Sequence, residues 1–395
     1  MLWDITKAEE FCAGVTDGTH DSPKAVNEGH YLITSKHLSE YEIDFSAAKQ
    51  ISEEDYQKII KRSAVGQWDI LFSMIGTIGN TYLEKNECVD YACKNMGIFQ
   101  MGGDKEKALW LYFYLKSPQA KEYVFSHLRG STQQYLPLGG LRDFPIPVPK
   151  KNIREKIVSV LKVIDDKIEN NNLINRNLSE QAQEYFDELF IQNASAEWKE
   201  GTLSDVGSIV AGGTPSKSNQ EYYTDNGIAW ITPKDLSVHK SAFISHGEND
   251  ITELGLQKSS ATMMPAGTVL FSSRAPIGYI AIAANEICTN QGFKSVVPND
   301  NVGTSYVYYL LKQLLPTIEN MASGSTFKEI SGSAMKIVPT VIPDNETLKR
   351  FSDFCDPIMK QIQKNEQESK RLVEIRDSLL PKLISGELDV ADLDI

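Results

Sequence analysis

Two textures alternate along the chain. Over residues 150–192, Ile157, Val160, Ile164, Ile168, Leu178, Ala182, Tyr185 and Leu189 recur at spacings of three and four. Over 344–385, Phe351, Cys355, Ile358, Ile362, Leu372, Leu379 and Leu383 do the same. This period predicts two long amphipathic helices that share an apolar seam. At 1.5 Å per residue each seam is roughly 57 Å long, more than a typical domain-core helix requires. An antiparallel coiled coil is the predicted packing. Each seam is interrupted once by polar residues, Asn171 and Asn175 in the first and Asn365 and Ser369 in the second. Antiparallel packing brings these breaks together at its centre, where polar groups bond one another and penalise slipped registers.

The intervening stretches, 1–149 and 197–343, lack this period. Short apolar runs such as Trp68–Ser73 and Thr268–Ser272, flanked by Gly, Asp or Ser, predict strands. One helix is expected over about 107–128 and its counterpart over 305–321. Pro145, Pro147 and Pro149 remove three backbone donors and end the first stretch; Pro339 and Pro343 end the second. Asn152 with Glu155 predicts a capping box for the first long helix, and Asp344 an N-cap for the second. The fold class is therefore α+β, with two pseudo-symmetric mixed domains separated by two long helices.

The halves echo each other in detail. Trp3 opens one copy and Trp198 the other; Asp17-Gly18-Thr19 answers Gly212-Gly213-Thr214, and Gly130-Ser131-Thr132 answers Gly324-Ser325-Thr326. Such a duplication suits a target with two halves.

Composition adds one complication. The chain has 395 residues and a net charge of −13. Autonomous nucleic-acid binders are usually basic, because phosphate contacts supply most of their affinity. An acidic chain can still read bases through local loops if a partner carries much of the backbone contact. Five scattered cysteines read as reduced structural thiols, no histidine spacing suggests a metal, and no run approaches a membrane span. No signal peptide is visible at the N-terminus, so a cytoplasmic location is expected.

Catalytic motifs are weak throughout. Gly212–Ser218 lacks the Gly and the helix of a phosphate loop. His20-Asp21-Ser22 is contiguous, whereas a triad is assembled from separate loops. Pro343-Asp344…Glu346…Lys349 has the spacing of a helix start, not of a nuclease. No Asn-Pro-Pro-Tyr-like motif or Gly-rich cofactor loop is present, so the chain itself is expected to bind no cofactor.

Polar residues suited to bases and phosphates cluster in corresponding loops instead. The first copy offers Thr19, His20, Ser35, Lys36, His37, Ser73, Thr77, Arg129, Gln133 and Gln134. The second offers Thr214, Ser216, Lys217, Lys234, Ser273, Arg274, Ser325, Thr326 and Lys328. The frame repeats while the tips differ, as expected of two copies that read different sequences.

At Asp17–Pro23, Gly212–Ser216, Ile228–Leu236 and the tail Leu379–Leu388, the chain resembles the specificity (S) subunits, or HsdS family, of type I restriction–modification systems. The resemblance covers essentially the whole chain. It implies two target-recognition domains, 1–149 and 197–343, each reading one half of a bipartite, asymmetric double-stranded DNA site. The helices 150–192 and 344–385 act as a ruler and dock two methylation (M) subunits. S-adenosylmethionine, ATP and Mg belong to partner subunits, with restriction (R) subunits in the full complex, and this chain carries no catalysis. Two rivals are a solitary DNA methyltransferase or nuclease, which a cofactor-binding assay would reveal, and a coiled-coil scaffold with two protein-binding heads, which would show no DNA sequence preference.

Overall fold

The computed structural model describes residues 3–238, 240–324 and 328–390. The chain divides into two compact units, Met1–Glu169 with Lys370–Ile395, and Asn170–Ser369. The first long helix, Lys151–Asp187, and the second, Asn345–Ser385, each contribute one part to either unit.

Among the described residues, unit 1 holds three sheets. Asp4–Lys7 pairs antiparallel with Pro145–Val148, so the proline-rich segment forms a short strand at a two-stranded edge that tolerates missing donors. A four-stranded antiparallel sheet runs Gly14–Asp17, Met96–Gln100, Ile70–Ser73, Thr81–Leu83. A three-stranded sheet places His30–Ile33 between Lys49–Ile51 and Tyr91–Cys93, the last in parallel. Ile70–Ser73 is buried at every position, which explains a continuous apolar run instead of alternation.

Unit 2 repeats this plan with additions. Lys199–Thr202 pairs with Pro339–Ile342. The larger sheet runs Gly207–Ala211, Lys294–Pro298, Val269–Ser273, Ile277–Ala283, and gains a fifth strand, Phe243–Ile244. The smaller sheet keeps its parallel pair, Ile228–Ile231 with Cys288–Thr289, and adds Tyr223–Thr224 beyond Asn249–Ile251. Equivalent strands in the two units thus follow the same order and direction.

Each core joins sheet, domain helix and long helices. In unit 1, Phe72, Phe99, Trp110, Phe113 and Phe144 pack with Ile157, Leu161, Leu380 and Leu383. In unit 2, Phe271, Tyr306 and Tyr309 pack with Phe186, Phe190, Phe351 and Cys355. Fully burying one such side chain contributes about 1.5–3 kcal/mol, so the long helices are structural parts of both cores. The opening tryptophans fasten each copy to the second long helix. Trp3 Nε1 donates to the Ile384 carbonyl at 2.7 Å, and Trp198 Nε1 donates to Asp344 Oδ2 at 2.8 Å.

Two expectations need correction. The single helix expected over about 107–128 is two, Lys105–Lys116 and Pro118–Ser126. Ser117 ends one and caps the other, its Oγ accepting the Ala120 N–H at 3.2 Å, and Pro118 suits a first helical turn but not an interior. The first long helix begins at Lys151, so Asn152 lies inside it and is not its cap. Asp344 does cap the second, accepting the Thr347 N–H at 2.8 Å.

Within unit 2 the two long helices run antiparallel: Asn171 meets Ser369, while Tyr185 meets Arg350. Asn171 Nδ2 donates to Glu368 Oε2 at 2.9 Å and to Ser369 Oγ at 3.2 Å, and Asn365 Nδ2 donates to Asn175 Oδ1 at 2.7 Å. All four polar seam residues therefore lie in one hydrogen-bonded patch, with Asn171 fully buried.

Candidate nucleic-acid interface

In unit 1 the loops of interest converge along one edge of the sheets. The Thr19 N–H donates to the Cys93 carbonyl at 2.9 Å, the Asn95 N–H to the Thr19 carbonyl at 3.1 Å, and the Lys94 N–H to the Ile33 carbonyl at 2.8 Å. These bonds set the 17–23 loop beside the turn after strand Tyr91–Cys93 and beside Thr34–His37. A Cβ at Gly18 would lie 2.2 Å from the Cys93 carbonyl oxygen, so only glycine permits the approach. Ile75 and Arg129 each bridge to Tyr135, which brings the 73–79 and 129–135 loops to the same edge.

Unit 2 builds the same edge. The Gly213 N–H donates to the Thr289 carbonyl at 2.8 Å, and the Ser273 N–H to the Gly292 carbonyl at 2.7 Å. A Cβ at Gly212 would lie 2.0 Å from the Asn290 carbonyl oxygen. Arg274 and Ser323 bridge to Glu329, as Ile75 and Arg129 bridge to Tyr135. The repeated glycines thus mark a repeated backbone crossing.

The side chains fall into three groups. Lys36, Thr77, Arg129, Gln133 and Gln134 in unit 1, with Ser216, Lys217 and Lys328 in unit 2, are exposed on these loops. A second group is exposed or half-buried but engaged. His20 bonds Asp17 Oδ2 at 3.0 Å and Asn95 Oδ1 at 2.9 Å; Lys234 bonds Glu248 at 2.6 Å, which raises its pKa; Arg274 pairs with Glu329 at 3.3 Å. Thr214 Oγ1 donates to Gln291, and Ser35 lies half-buried against Gly76. The third group is buried and shapes the loops without facing solvent. Thr19 Oγ1 accepts the Asp21 N–H at 3.1 Å, Ser273 Oγ donates to the Gly292 carbonyl at 3.1 Å, and Ser73 is fully buried. His37 is only 4% exposed; its Nδ1 accepts the Thr34 N–H at 3.0 Å, and burial lowers its pKa. Its ring closes a 3-10 turn and leaves the tip to Lys36. Ser325 and Thr326 lie outside the described residues.

The structure adds residues that sequence reasoning passed over. Lys94-Asn95 and Asn290-Gln291 form the turns at the centre of each edge. Their signal was present, since each is a polar pair between a short strand and the next apolar run. Lys294 reaches from the adjacent strand toward Ser273 Oγ (3.4 Å) and Glu329 (3.7 Å), and burial lowers its pKa. The edges are rich in cations, amides and hydroxyls that can meet phosphates and base edges. Among the described residues no group of three His, Cys, Asp or Glu could hold a metal, and no helix is long and apolar enough to cross a membrane.

Residues 24–180 and 195–374 each match the family described as type I restriction modification DNA specificity domain. The chain is similar to the specificity subunit of type I restriction enzyme MjaIX from Methanocaldococcus jannaschii, with 38% identity over 196 residues, 48% of this chain and 45% of that relative. The match thus spans about half the length of that protein. It is also similar to the HindI specificity subunit of Haemophilus influenzae, 24% identical over 83% of this chain and 88% of that one. Among solved structures, the type I restriction–modification S subunit from M. genitalium shares the fold, with a TM-score of 0.56 and 18% identity across 96% of both chains.

Proposed function

This chain belongs to the type I restriction modification DNA specificity family, and from that premise we propose that it selects the DNA sequence on which a type I restriction–modification complex acts. In this reading the segments 1–149 and 197–343 each read one half of a bipartite, asymmetric site in double-stranded DNA. The helical segments 150–192 and 344–385 set the spacer and dock two methylation subunits. The chain performs no catalysis. S-adenosylmethionine, ATP and Mg are used by the partners, and restriction subunits complete the cleaving complex in the cytoplasm.

The observation that carries the reading is the pair of matched loop edges: close backbone crossings at Gly18 and Gly212 hold unlike tips, such as Lys36 against Lys234 paired to Glu248. A common frame with unlike side chains is what an asymmetric target requires. The acidic net charge of −13 accords with partners that carry much of the phosphate contact.

The test is single-molecule methylome sequencing of a host expressing the chain with its methylation partner. The expected result is adenine methylation within a two-part motif, with none produced by the purified chain alone. Methylation of one continuous site, or by the chain alone, overturns the proposal.

A further inference from the structure

The two loop edges differ in how their first loop is held. In unit 1, cationic side chains fasten the 17–23 loop. Arg62 donates to the carbonyls of Asp17 and Gly18, both at 3.1 Å; Lys49 Nζ donates to the Pro23 carbonyl at 2.5 Å; Lys94 Nζ donates to Ser22 Oγ. In unit 2, neutral donors perform the corresponding task. Trp230 Nε1 donates to the Gly213 carbonyl at 2.9 Å, and the Tyr223 hydroxyl to the Pro215 carbonyl at 2.7 Å. The Pro23 carbonyl and the Ser22 hydroxyl orient Lys49 and Lys94 without cancelling their charge, whereas Arg62 also pairs with Asp17 at 3.5 Å, so two cations that fasten the unit 1 loop keep their charge.

A helix accounts for much of this difference. Unit 1 follows strand Lys49–Ile51 with the eleven-residue helix Glu53–Ser63, capped by Ser52. Its last turns carry Lys58, Lys61 and Arg62. The corresponding helix of unit 2, Glu253–Gln257, has five residues, with Lys258 as its C-cap in place of the three cations. Between the unit 1 helix and the 17–23 loop lies a cleft of about 680 Å³ lined by His20, Ser22, Lys58 and Arg62, with Asp21 and Asp55 as counter-charges. Asp55 is held at the helix start by Ser52, and Asp17 outside the cleft pairs with Arg62 and His20. Lys58 is exposed, lines the cleft and makes no side-chain bond among the described residues.

We infer that this cleft seats a backbone phosphate of the DNA bound by unit 1, with Lys58 as the cation that meets it and Arg62 as the residue that positions the loop. The inference rests on the DNA-specificity reading and deepens it. The first domain then carries a sequence-independent phosphate contact of its own, and the second depends more on base contacts and partners.

The experiment uses the full chain copurified with its methylation partner and measures binding to a random-sequence duplex across a salt series. Lys58→Ala is expected to reduce the slope of log affinity against log salt by about 1, the contribution of one lost phosphate contact. On a duplex carrying the methylated motif, affinity falls by the same factor and the motif is unchanged. Lys336→Ala, at an exposed lysine of unit 2, removes the same charge and leaves the slope as in the parent. Equal slopes for Lys58→Ala and the parent overturn the inference, as does an altered motif, which would make Lys58 a base reader. A parent complex that methylates a single continuous site defeats the specificity reading, while the slopes on random-sequence DNA still decide the phosphate seat.

Discussion

Units 1 and 2 share strand order and helix placement, yet they fasten their domain helix to the long helices by different chemistry. In unit 1 the contact is ionic. Arg376 bonds Glu40 at 2.5 Å, Asp165 at 2.9 Å and the Tyr41 hydroxyl at 3.0 Å, while Lys116 lies 2.7 Å from Glu40 and over the Tyr112 ring. Burial opposes ionisation of Glu40, but Lys116 and Arg376 outweigh it and its pKa is lowered; burial lowers the pKa of Lys116. In unit 2, by the offset that relates Asn171 to Asn365, Asp165 corresponds to Met359 and Arg376 to Ala182, both buried. Lys312, the counterpart of Lys116, rests near the Tyr308 and Tyr309 rings. Unit 2 adds neutral-donor hydrogen bonds: Ser305 Oγ of the domain helix donates to Asp356 Oδ1 at 2.6 Å, and the Glu366 oxygens accept the Ala242 and Phe243 N–H groups at 2.7 and 3.1 Å. One topology is therefore compatible with an ionic fastening or with one of apolar packing and neutral-donor hydrogen bonds. Shape decides the fold, and the means of attachment can vary so long as no buried charge is left unpaired.

Breaking the ionic fastening should have the largest effect. Arg376→Ala strands Asp165 and Glu40 with a single cation and is expected to cost about 3–5 kcal/mol, read by chemical denaturation and by hydrogen exchange in Lys105–Lys116. Adding Asp165→Met, which copies the unit 2 residues, should recover most of that loss while Glu40 keeps Lys116. If the double variant is as unstable as the single one, the two fastenings are not interchangeable.

The unit 2 anchor makes a pH prediction. Burial raises the Glu366 pKa from 4.5 to about 7, against the two backbone donors that lower it. Between these values the folded state binds more protons than the unfolded one, so stability falls as pH rises through the window. The loss reaches up to about 3 kcal/mol above pH 7. Glu366→Gln should flatten this slope in denaturation curves taken across the window; an unchanged slope would assign it to another group.

The loop tips offer a finer comparison. Lys36→Ala should weaken preference at the half-site read by unit 1, by about 1–3 kcal/mol, and leave the other half unchanged in a binding-site selection. His37→Ala, which removes a buried ring, should instead lower stability with the motif retained. A changed motif in the His37 variant would place that ring at the DNA. The smallest effect is expected at the seam of unit 2. Asn175→Leu with Asn365→Leu removes both partners of the Asn365 Nδ2–Asn175 Oδ1 bond and should leave thermal stability within about 1 kcal/mol of the parent.

Much of this was legible because it depends on local pattern. The spacing of Ile157 to Leu189 and of Phe351 to Leu383 led to long helices, and the matched breaks at Asn171 and Asn365 led to a shared polar patch. The glycines of Asp17-Gly18-Thr19 and Gly212-Gly213-Thr214 marked a repeated turn, although the backbone bonds set Gly18 against Gly212 where the sequence echo pairs it with Gly213. The accessibility of individual loop side chains was not legible: Ser73, Ser273 and His37 have the chemistry of base readers but are buried, because strand ends turn some loop residues inward. The split at Ser117-Pro118 was written in the chain and misread, since the apolar run on either side hides the cap.

By itself, then, the sequence determined the duplication, the period of the helices and the glycine crossings, because each depends on residues close together in the chain and on backbone sterics. Only tertiary structure decided which charges meet. Glu40, Lys116, Asp165 and Arg376 come from four distant segments, and Arg62 reaches the 17–23 loop from a helix whose unit 2 counterpart has five residues and no arginine. No local spacing encodes such encounters. Their consequences depend on burial, which strengthens a charge pair and penalises a lone charge, and burial exists only once the chain has folded.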